Sequence, residues 1–308
     1  MNNRELHLTD ILSDILATKR QELAARSEAD ATTGKTGTAD KNATGRVERS
    51  LKKALSESAT GIIAEFKRKS PSKGWIHADA RPEDVVPKYA AAGAAALSIL
   101  TDESYFGGSL EYIRRVRPLV DLPILRKDFI IDPVQLVEAR QAGADAVLLI
   151  AACLSRTDCA ALLAEAHRLG LEVLLEIHSP EEMDYITPDV DVVGVNNRHL
   201  GSFVTDVRTS FEMAPLLAQR ANRNYFSDKF AEKPISASPS TTPAHAGAEE
   251  MPDQVGHDGI IFISESGISD PATVRELRKA GYRGFLMGEN FMKQPDPGAA
   301  LADFIQAI

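Results

Sequence analysis

A glutamate and a lysine lie two residues apart where an apolar segment of this sequence ends, in Ile-Ile-Ala-Glu-Phe-Lys at residues 62–67. Because side chains alternate between the two faces of a strand, Glu65 and Lys67 would share one face with Ile63. Burying either charge alone would cost several kcal/mol, so a fold that directs both inward usually has a use for them. We therefore predict that they belong to an active site that transfers protons.

Four further apolar segments also end in polar side chains, namely Lys127, Glu176, Asn196 and Glu265. A lysine beside a glutamate stays protonated and can donate to a carbonyl or hydroxyl oxygen, while a carboxylate in a partly dry pocket has a raised pKa and can shuttle protons. This set predicts acid–base chemistry on a small polar substrate. A structural network of ion pairs among the same residues is the alternative interpretation.

The elements that would position these residues are short β-rich runs that alternate with longer helical patterns. The predicted strands are 61–67, 95–100, 122–128, 145–150, 171–177, 191–196, 259–265 and 283–288. The predicted helices are 82–92, 110–119, 133–142, 156–169, 180–185, 208–218, 270–279 and 297–307. Eight β-then-α units predict an α/β fold of the (β/α)8 TIM-barrel class, with an open doubly wound sheet as the alternative. In such a barrel the carboxyl ends of the strands meet at one mouth, where barrel enzymes keep their active sites.

Glycines follow the last two predicted strands, in Ser266-Gly267 and Gly288-Glu289. In barrels of this class the loops after strands seven and eight often bind phosphate through backbone amides and a helix N-terminus. The paired glycines therefore predict a phosphate site, although each one alone also fits an ordinary turn. Because a carboxylate would repel a phosphate dianion, we expect the side chain of Glu289 to point away while its amide donates.

Two segments interrupt the alternating pattern, and both are predicted to be low-complexity insertions. Residues 27–47 contain almost no large apolar residue and resemble a disordered insertion between two N-terminal helices. Residues from about 221 to 258 lack periodicity and, since they precede the seventh strand, should emerge at the bottom of the barrel, opposite the mouth. We predict one domain over residues 1–308, with an N-terminal helical extension at 1–60 and the barrel at 61–308.

Composition and charge exclude several classes of function. The 308 residues include 35 basic and 44 acidic side chains, a net charge of −9, so a global positive field for nucleic acid or anionic membranes is absent. No segment approaches the roughly 18 consecutive apolar residues of a membrane span, and the N-terminus lacks the apolar run of a signal peptide. The expected compartment is the cytosol, where Cys153 and Cys159 would be reduced packing residues and not metal ligands.

Five sequence motifs, taken together, resemble those of the indole-3-glycerol-phosphate synthase family. They are Glu-Phe-Lys-Arg-Lys-Ser-Pro-Ser at 65–72, Leu-Arg-Lys-Asp-Phe at 125–129, Leu-Glu-Ile-His at 175–178, Gly-Val-Asn-Asn-Arg at 194–198 and Ser-Glu-Ser-Gly-Ile at 264–268. The resemblance covers residues 5–26 and 48–308. It implies a barrel enzyme of tryptophan biosynthesis that closes the ring of 1-(2-carboxyphenylamino)-1-deoxyribulose 5-phosphate, loses carbon dioxide and water, and releases indole-3-glycerol phosphate. It also implies that neither a cofactor nor a metal takes part, and that the N-terminal helices cover the mouth.

The resemblance further implies roles for single residues. Lys127 would be the general acid that protonates the ketone oxygen of the substrate, and Glu176 would be the acid/base partner in dehydration. Glu65 would be a second proton-transfer carboxylate, and Asn196 would orient a hydroxyl group. Lys67 would contact the substrate carboxylate or phosphate, or assist a later proton transfer, and these roles are not separable at this stage. The residues that would bind the phosphate, the carboxylate and the rest of the substrate are Ser70, Phe106, Phe129, Arg198, Glu265, Ser266, Gly267, Gly288 and Glu289.

Three alternatives stay open. Phe106 and Phe129 could pack at the rim of the barrel and not against the aromatic ring of a substrate. A different phosphate-binding barrel enzyme, such as phosphoribosylanthranilate isomerase, would need a cysteine and an aspartate at strand ends, and Cys153 has no such companion. A barrel that binds partners through its insertions without catalysis is the third, and the intact set of strand-end acids and bases argues against it. The expected ligand is a small phosphorylated substrate, and the expected state is a monomer or a weak homodimer.

Overall fold

Eight parallel strands close into a barrel in this computed structural model, which describes residues 8–33, 48–199, 204–230 and 259–308. In chain order the strands are β1 Ile62–Phe66, β2 Ala96–Leu100, β3 Ile124–Lys127, β4 Ala146–Ile150, β5 Glu172–Ile177, β6 Val192–Asn196, β7 Ile261–Glu265 and β8 Gly284–Met287. Strand β1 pairs in parallel with β2 on one side and with β8 on the other, which closes the barrel. The prediction of a TIM barrel is confirmed, and each strand lies within two residues of its predicted bounds.

Helices alternate with the strands along the chain. They are α1 Leu8–Thr33, α2 Leu51–Glu57, α3 Pro82–Ala91, α4 Glu103–Phe106, α5 Leu110–Val116, α6 Pro133–Ala142, α7 Arg156–Arg168, α8 Arg208–Phe230, α9 Pro271–Lys279, α10 Glu289–Met292 and α11 Pro297–Gln306. Short 3-10 helices lie at Arg117–Leu119, Ala151–Cys153 and Pro180–Tyr185. Among the described residues, no helix is long and apolar enough to cross a membrane.

The observed helices differ from the predicted ones for local reasons. The predicted helix 110–119 becomes a 3-10 turn at its end, because Pro118 lacks the N–H that a continuing α-helix needs. Helix α1 continues through residues 27–33 and α8 through residues 221–230, segments that contain neither proline nor glycine to stop a helix. Both helices therefore extend into the predicted insertions, whose remaining residues, 34–47 and 231–258, lie outside the described part of the chain.

Three short elements near the mouth were not predicted. They are a two-stranded hairpin after β1, formed by Lys69–Ser70 and Gly74–Trp75, and the helices α4 and α10. Each of these strands has two residues and each of these helices has four, so none is long enough to show a periodic pattern of apolar residues. These elements follow β1, β2 and β8, so they form parts of the mouth that the sequence pattern does not predict.

Helix α2 closes the bottom of the barrel. Leu51 and Leu55 are fully buried and join the apolar cluster that fills the barrel interior. A Cβ atom added to Gly284, the first residue of β8, would lie 3.1 Å from a methyl group of Leu55, which places α2 at the amino ends of the strands. The hydroxyl of Ser50 caps this helix and donates to Glu172, the first residue of β5. The expectation that the N-terminal helices together cover the mouth is therefore wrong for α2.

Helix α1 lies at the mouth and is held there by a buried network of ion pairs. Nζ of Lys19, which is 4% exposed, lies 3.0 Å from Oδ2 of Asp102 and 3.1 Å from Oδ1 of Asp128. Burial would lower the pKa of Lys19, but the two carboxylates outweigh burial and raise it. The two acids follow β2 and β3, so the network ties α1 to the carboxyl ends of these strands. Leu12 and Ile15 of α1 line the cavity in the mouth.

Replacing Lys19 with methionine should lower the free energy of unfolding by about 3–5 kcal/mol, because Asp102 and Asp128 would lose the buried cation they share. Chemical denaturation followed by circular dichroism measures this change. Arg26→Met is the matched control on the same helix, since Arg26 is half exposed and its pair with Glu138 should contribute about 1 kcal/mol or less. Equal losses of unfolding free energy in the two variants would contradict the inference that the buried ion pairs of Lys19 hold α1 on the barrel.

Candidate active site

The acids and bases predicted at the strand ends meet in one cavity in the mouth of the barrel. Its volume is about 290 Å³, and its walls include Glu65, Lys67, Lys127, Glu176, Asn196 and Glu265. These residues lie in or directly after β1, β3, β5, β6 and β7. Closure of the parallel sheet brings the carboxyl ends of all these strands to one side, so residues far apart in the sequence become neighbours.

Lys127 lies between two carboxylates. Its Nζ donates to Oε2 of Glu176 at 2.9 Å and lies 3.7 Å from Oε2 of Glu265. Burial would lower the pKa of Lys127, but the charges of Glu176, Glu265 and Glu65 outweigh burial and raise the pKa above its ordinary value. Lys127 is therefore a protonated ammonium group that can act as an acid.

Glu176 and Glu265 are both buried, yet their surroundings move their pKa values apart. Burial would raise the pKa of Glu176, but the cations Lys127 and His178 lower it below its ordinary range. Burial, together with the charge of Glu176, raises the pKa of Glu265 to about 8. At neutral pH the pair consists of one ionised base and one protonated acid, which is the division of roles that acid–base catalysis requires.

Glu65 and Lys67 form a second ion pair on the β1 side of the mouth, with Nζ and Oε1 2.8 Å apart. The side chain of Glu65 lies against the backbone of Gly288, where an added Cβ would come within 2.7 Å of Oε1. Gly194 leaves similar space for Glu265, whose carboxylate would collide with any side chain there. Glycine at these two positions therefore provides the room that the two carboxylates occupy.

The hairpin after β1 and the loops after β6 and β7 form the cationic end of the cavity. Nη1 of Arg198 lies 3.2 Å from Oγ of Ser72 in the hairpin, and Lys73 beside it also lines the cavity. Ser266 and Gly267 have successive positive φ angles of 65° and 77°, a turn in which consecutive N–H groups can converge on an anion. Two cations and backbone donors at one end of the cavity can hold a phosphate group.

The side chain of Glu289 lines the cavity, which corrects the expectation that it would point away. Its carboxylate forms an ion pair with Lys73, and its Oε2 lies 3.8 Å from Nη2 of Arg198. Burial would raise the pKa of Glu289, but the hydrogen bond from Lys73 and the neighbouring charges lower it. The physical reason for its position is therefore attraction to two flanking cations.

A buried hydrogen-bond network joins the loops after β6 and β7. Nδ2 of Asn197 donates to Oγ of Ser264 at 2.9 Å and to the carbonyl oxygen of Ser266 at 3.0 Å. Its Oδ1 accepts from the N–H and the hydroxyl of Ser210 in α8. Asn196, the preceding residue, lines the cavity. The network therefore fixes the backbone that positions Asn196 and the turn at Ser266.

Apolar side chains form one wall of the cavity. The rings of Phe106 and Phe129 lie 6.2 Å apart at an angle of 40°, and both line the cavity together with Leu12 and Ile15 of α1. Asp102, which binds Lys19 of α1, also caps the short helix α4 that carries Phe106. The two phenylalanines therefore face the same space as the acids and bases, where a flat aromatic group would fit between apolar side chains.

One predicted residue lies away from the cavity, one residue without a predicted role lines it, and another lies behind the cavity wall. Ser70 is buried outside the cavity wall, and its Oγ has no hydrogen-bond partner among the described residues. Lys73 lines the cavity instead, and its charge, directly after the first family motif, was the signal that could have identified it. His178 lies behind Glu176, with Nε2 3.2 Å from Oε1 of Glu176, at the end of the third motif. Within the described ranges, no group of His, Cys, Asp and Glu could hold a metal ion.

A closed barrel with acids, bases and an anion pocket at the carboxyl ends of its strands defines a (β/α)8-barrel enzyme. Among solved structures, the chain is similar to a thiamine phosphate pyrophosphorylase from Pyrococcus furiosus, with a TM-score of 0.52 and 14% identity. The match covers 84% of this chain and 97% of that one. At this identity the likeness shows the fold alone.

Sequence comparison identifies the particular family. The family model for indole-3-glycerol phosphate synthase matches residues 12–227 and 246–304. An indole-3-glycerol phosphate synthase from Bacteroides thetaiotaomicron is 50% identical over 98% of this chain and 100% of the relative, and one from an Azoarcus species is 38% identical over 96% of this chain and 98% of the relative. The chain belongs to the indole-3-glycerol phosphate synthase family, whose members are decarboxylating lyases of tryptophan biosynthesis.

Proposed function

We propose that this chain closes the indole ring of 1-(2-carboxyphenylamino)-1-deoxyribulose 5-phosphate and releases indole-3-glycerol phosphate, carbon dioxide and water. The observation that carries the proposal is the position of Lys127, whose Nζ lies 2.9 Å from Oε2 of Glu176 and 3.7 Å from Oε2 of Glu265. Attack on a ketone requires a proton donor, and dehydration requires a base and an acid close together. Membership of the family supports the same reaction.

The cavity offers a separate surface for each part of this substrate. The aromatic ring would lie on the wall that contains Phe106 and Phe129, and the substrate carboxylate would face Lys67. Asn196 would orient the hydroxyl formed from the ketone. The phosphate would lie where cations and backbone donors converge, at Lys73, Arg198, Ser266, Gly267, Gly288 and the amide of Glu289.

Lys127 is the acid of the first proposed step. Its ammonium proton passes to the ketone oxygen as the ring carbon that bears the carboxylate attacks the carbonyl carbon. The bond to the carboxylate then breaks, carbon dioxide leaves, and the bonding electrons return to the ring and restore its aromaticity. Lys67 would hold the carboxylate until this step, while Glu65 keeps Lys67 in place and serves as a second proton-transfer carboxylate.

Glu176 is the base of the second proposed step, the dehydration. The proton on the neighbouring carbon passes to Glu176, and the hydroxyl group leaves as water with the proton that Glu265 carries at neutral pH. The carbon–carbon double bond that forms completes the indole. Glu176 can then return its proton to Lys127 across the 2.9 Å contact. All of these transfers are acid–base steps between described side chains and the substrate.

The test of this function is to incubate the purified protein with the carboxyphenylamino ribulose phosphate and to follow the fluorescence of the indole product. We expect saturable formation of indole-3-glycerol phosphate together with carbon dioxide in equal amounts. Absence of turnover in a folded sample would overturn the proposal. The substrate without its phosphate should react much more slowly, because the cationic end of the cavity would have no anion to bind.

The isomerase alternative finds no support in the positions of its required groups. Burial and the neighbouring Glu176 and Glu182 raise the pKa of Cys153 to about 12, so this thiol stays protonated. The aspartates that follow β2 and β3, Asp102 and Asp128, are bound to Lys19. The cysteine and aspartate pair that such an isomerase would need is therefore not formed by these residues.

We further propose that the chain acts as a single domain in the cytosol, as a monomer or a weak homodimer, on a small phosphorylated substrate and without nucleic acid. The net charge of −9 supports the exclusion of nucleic acid, since anionic partners would be repelled outside the local cationic pocket. The position of the site within the mouth of one barrel supports activity of a single copy. Analytical ultracentrifugation of the active protein would test the oligomeric state.

Replacing Arg198 with alanine should raise KM by about tenfold to a hundredfold and lower kcat much less, because it removes a charge-assisted contact to the phosphate. Steady-state kinetics measures this split. Inorganic phosphate should compete with the substrate, and its inhibition constant should rise in parallel with KM. Arg208→Ala is the matched control, since Arg208 is exposed and pairs with Asp206 outside the cavity. A fall in kcat with an unchanged KM would instead place Arg198 in the chemistry.

A further inference from the structure

The proposed reaction consumes one proton from solvent in every turnover. Lys127 gives one proton to the ketone oxygen, and a second proton is needed for the hydroxyl group to leave as water. Dehydration returns one proton from carbon, while carbon dioxide leaves without taking any. Two protons enter the substrate and one comes back, so the enzyme must take up one proton from water before the next cycle.

The acids and bases of the site are poorly placed to take this proton directly from water. The side chains of Lys127, Glu176 and Glu265 are 14%, 3% and 1% exposed, and a bound substrate in the mouth would cover them further. Direct protonation of the site is therefore confined to the interval after the product leaves. A route through the wall of the barrel would remove this restriction.

A continuous row of titratable side chains leads through that wall from Lys127 toward the surface. Nζ of Lys127 lies 2.9 Å from Oε2 of Glu176, and Oε1 of Glu176 lies 3.2 Å from Nε2 of His178. Nδ1 of His178 lies 3.7 Å from Oε2 of Glu182, in the 3-10 helix Pro180–Tyr185. The exposed fraction rises along the row, from 3% at Glu176 to 9% at His178 and 17% at Glu182.

The groups that face His178 keep it charged. Burial would lower its pKa, but Glu176 on its own strand and Glu182 on the following 3-10 helix raise the pKa to about 9. The other titratable groups near Glu176 are Lys127, Glu265 and Cys153, and Cys153 stays a neutral thiol. Glu182 is held in place because its carboxylate accepts from the backbone N–H of His178 at 2.6 Å. An imidazolium ring is thus positioned with one nitrogen toward each carboxylate.

The geometry points to His178 as a proton-relay residue, which passes protons from solvent at Glu182 to Glu176 between turnovers. Because Glu176 returns the dehydration proton to Lys127, the relayed proton replaces the one that Glu265 gives, through the contacts of Lys127 with Glu176 and Glu265. The inference rests on the proposed function. In one relay step the N–H bond at Nε2 breaks and an O–H bond forms on Glu176, which leaves a neutral ring. A half-turn of the ring presents its remaining N–H to Glu176, and the bare nitrogen then accepts a proton from solvent through Glu182. Neither ring nitrogen of His178 makes a hydrogen bond of good geometry to a described residue. No such bond therefore holds the ring in one orientation.

The first turnover and the later ones separate this role from a structural one. Lys127 and Glu265 together hold the two protons that one turnover needs, so the first turnover does not require the relay. In His178→Gln, the single-turnover rate should stay within a few-fold of the unsubstituted enzyme, while the steady-state rate should fall by at least about tenfold. Added imidazole should restore the steady-state rate, because it replaces the missing donor. Rapid-quench and steady-state kinetics on the full chain measure both rates.

Two further variants make the test decisive. Glu182→Gln keeps His178 but removes the surface end of the row, so the same imbalance between first and later turnovers should appear even if His178→Gln does not fold. Asp184→Asn, on the same 3-10 helix, is the control, since Asp184 is exposed and pairs with Arg156. Equal losses in the single-turnover and steady-state rates would show that His178 is only a structural support and would overturn the relay. Undiminished steady-state rates would also overturn it. Absence of turnover in the unsubstituted chain would overturn the proposed function itself.

Discussion

Replacing Lys127 with methionine is expected to lower kcat by about 10²–10⁴-fold, the usual contribution of a well-placed general acid. Methionine has a similar length and no proton to give, so the ketone oxygen would develop negative charge without a donor. The variant should still bind the substrate, because the cationic end and the aromatic wall of the cavity do not include Lys127. Steady-state kinetics and equilibrium binding of the substrate measure these two effects.

The same substitution should also raise the pKa of Glu176, since Lys127 is the main charge that keeps it low against burial. Lys279→Met is the matched control, because Lys279 is exposed at the end of α9 and pairs with Glu276 far from any residue of the site. Circular dichroism would establish that both variants keep their helices. Undiminished turnover in Lys127→Met would remove the central assignment of the mechanism.

Replacing Glu176 with glutamine should lower the rate of indole formation by about 10²–10⁴-fold, because the amide keeps the shape of the carboxylate but accepts no proton. The proposed sequence puts this loss at the dehydration, after carbon dioxide has left. Carbon dioxide release should therefore outpace indole formation during the first turnover, and measuring both products on one sample tests the order. The pKa of Glu265 should fall, since the charge of Glu176 is one of the causes that raise it.

Glu181→Gln is the control for this substitution, because Glu181 is fully exposed at the start of the 3-10 helix that follows β5. Its rates should equal those of the unsubstituted enzyme. If the rates of carbon dioxide release and indole formation fell equally in Glu176→Gln, Glu176 would act in ring closure. The dehydration would then need another base. Glu65 is the next carboxylate in the cavity for that role.

The positions of the strand-end acids and bases were predictable because they depend on local patterns. Alternation within a strand places Glu65 and Lys67 on one face, and the repeated β-then-α units imply a parallel barrel whose strand ends converge. Lys127, Glu176 and Glu265 accordingly lie in one cavity. None of these inferences needs the distance between two strands, which is why a single sequence suffices for them.

The residues that the sequence did not reveal depend on contacts between distant segments. Lys73 and Glu289 pair across the mouth between a hairpin after β1 and a helix after β8, elements too short to leave a periodic pattern. Lys19 lies on a helix that the sequence places before the barrel, and only docking shows that it meets Asp102 and Asp128. Helix α2 likewise closes the bottom of the barrel through contacts that its own sequence does not specify.

The sequence by itself determined the order of strands and helices, the strand ends that carry acids and bases, and the family. The protonation of these groups was decided only by the tertiary structure. Glu176 and Glu265 are alike as residues, yet contact with Lys127 and His178 keeps one ionised, whereas burial next to that charge keeps the other protonated. Electrostatic energies depend on the separation of charges and on their access to water. Both quantities exist only once the barrel has closed.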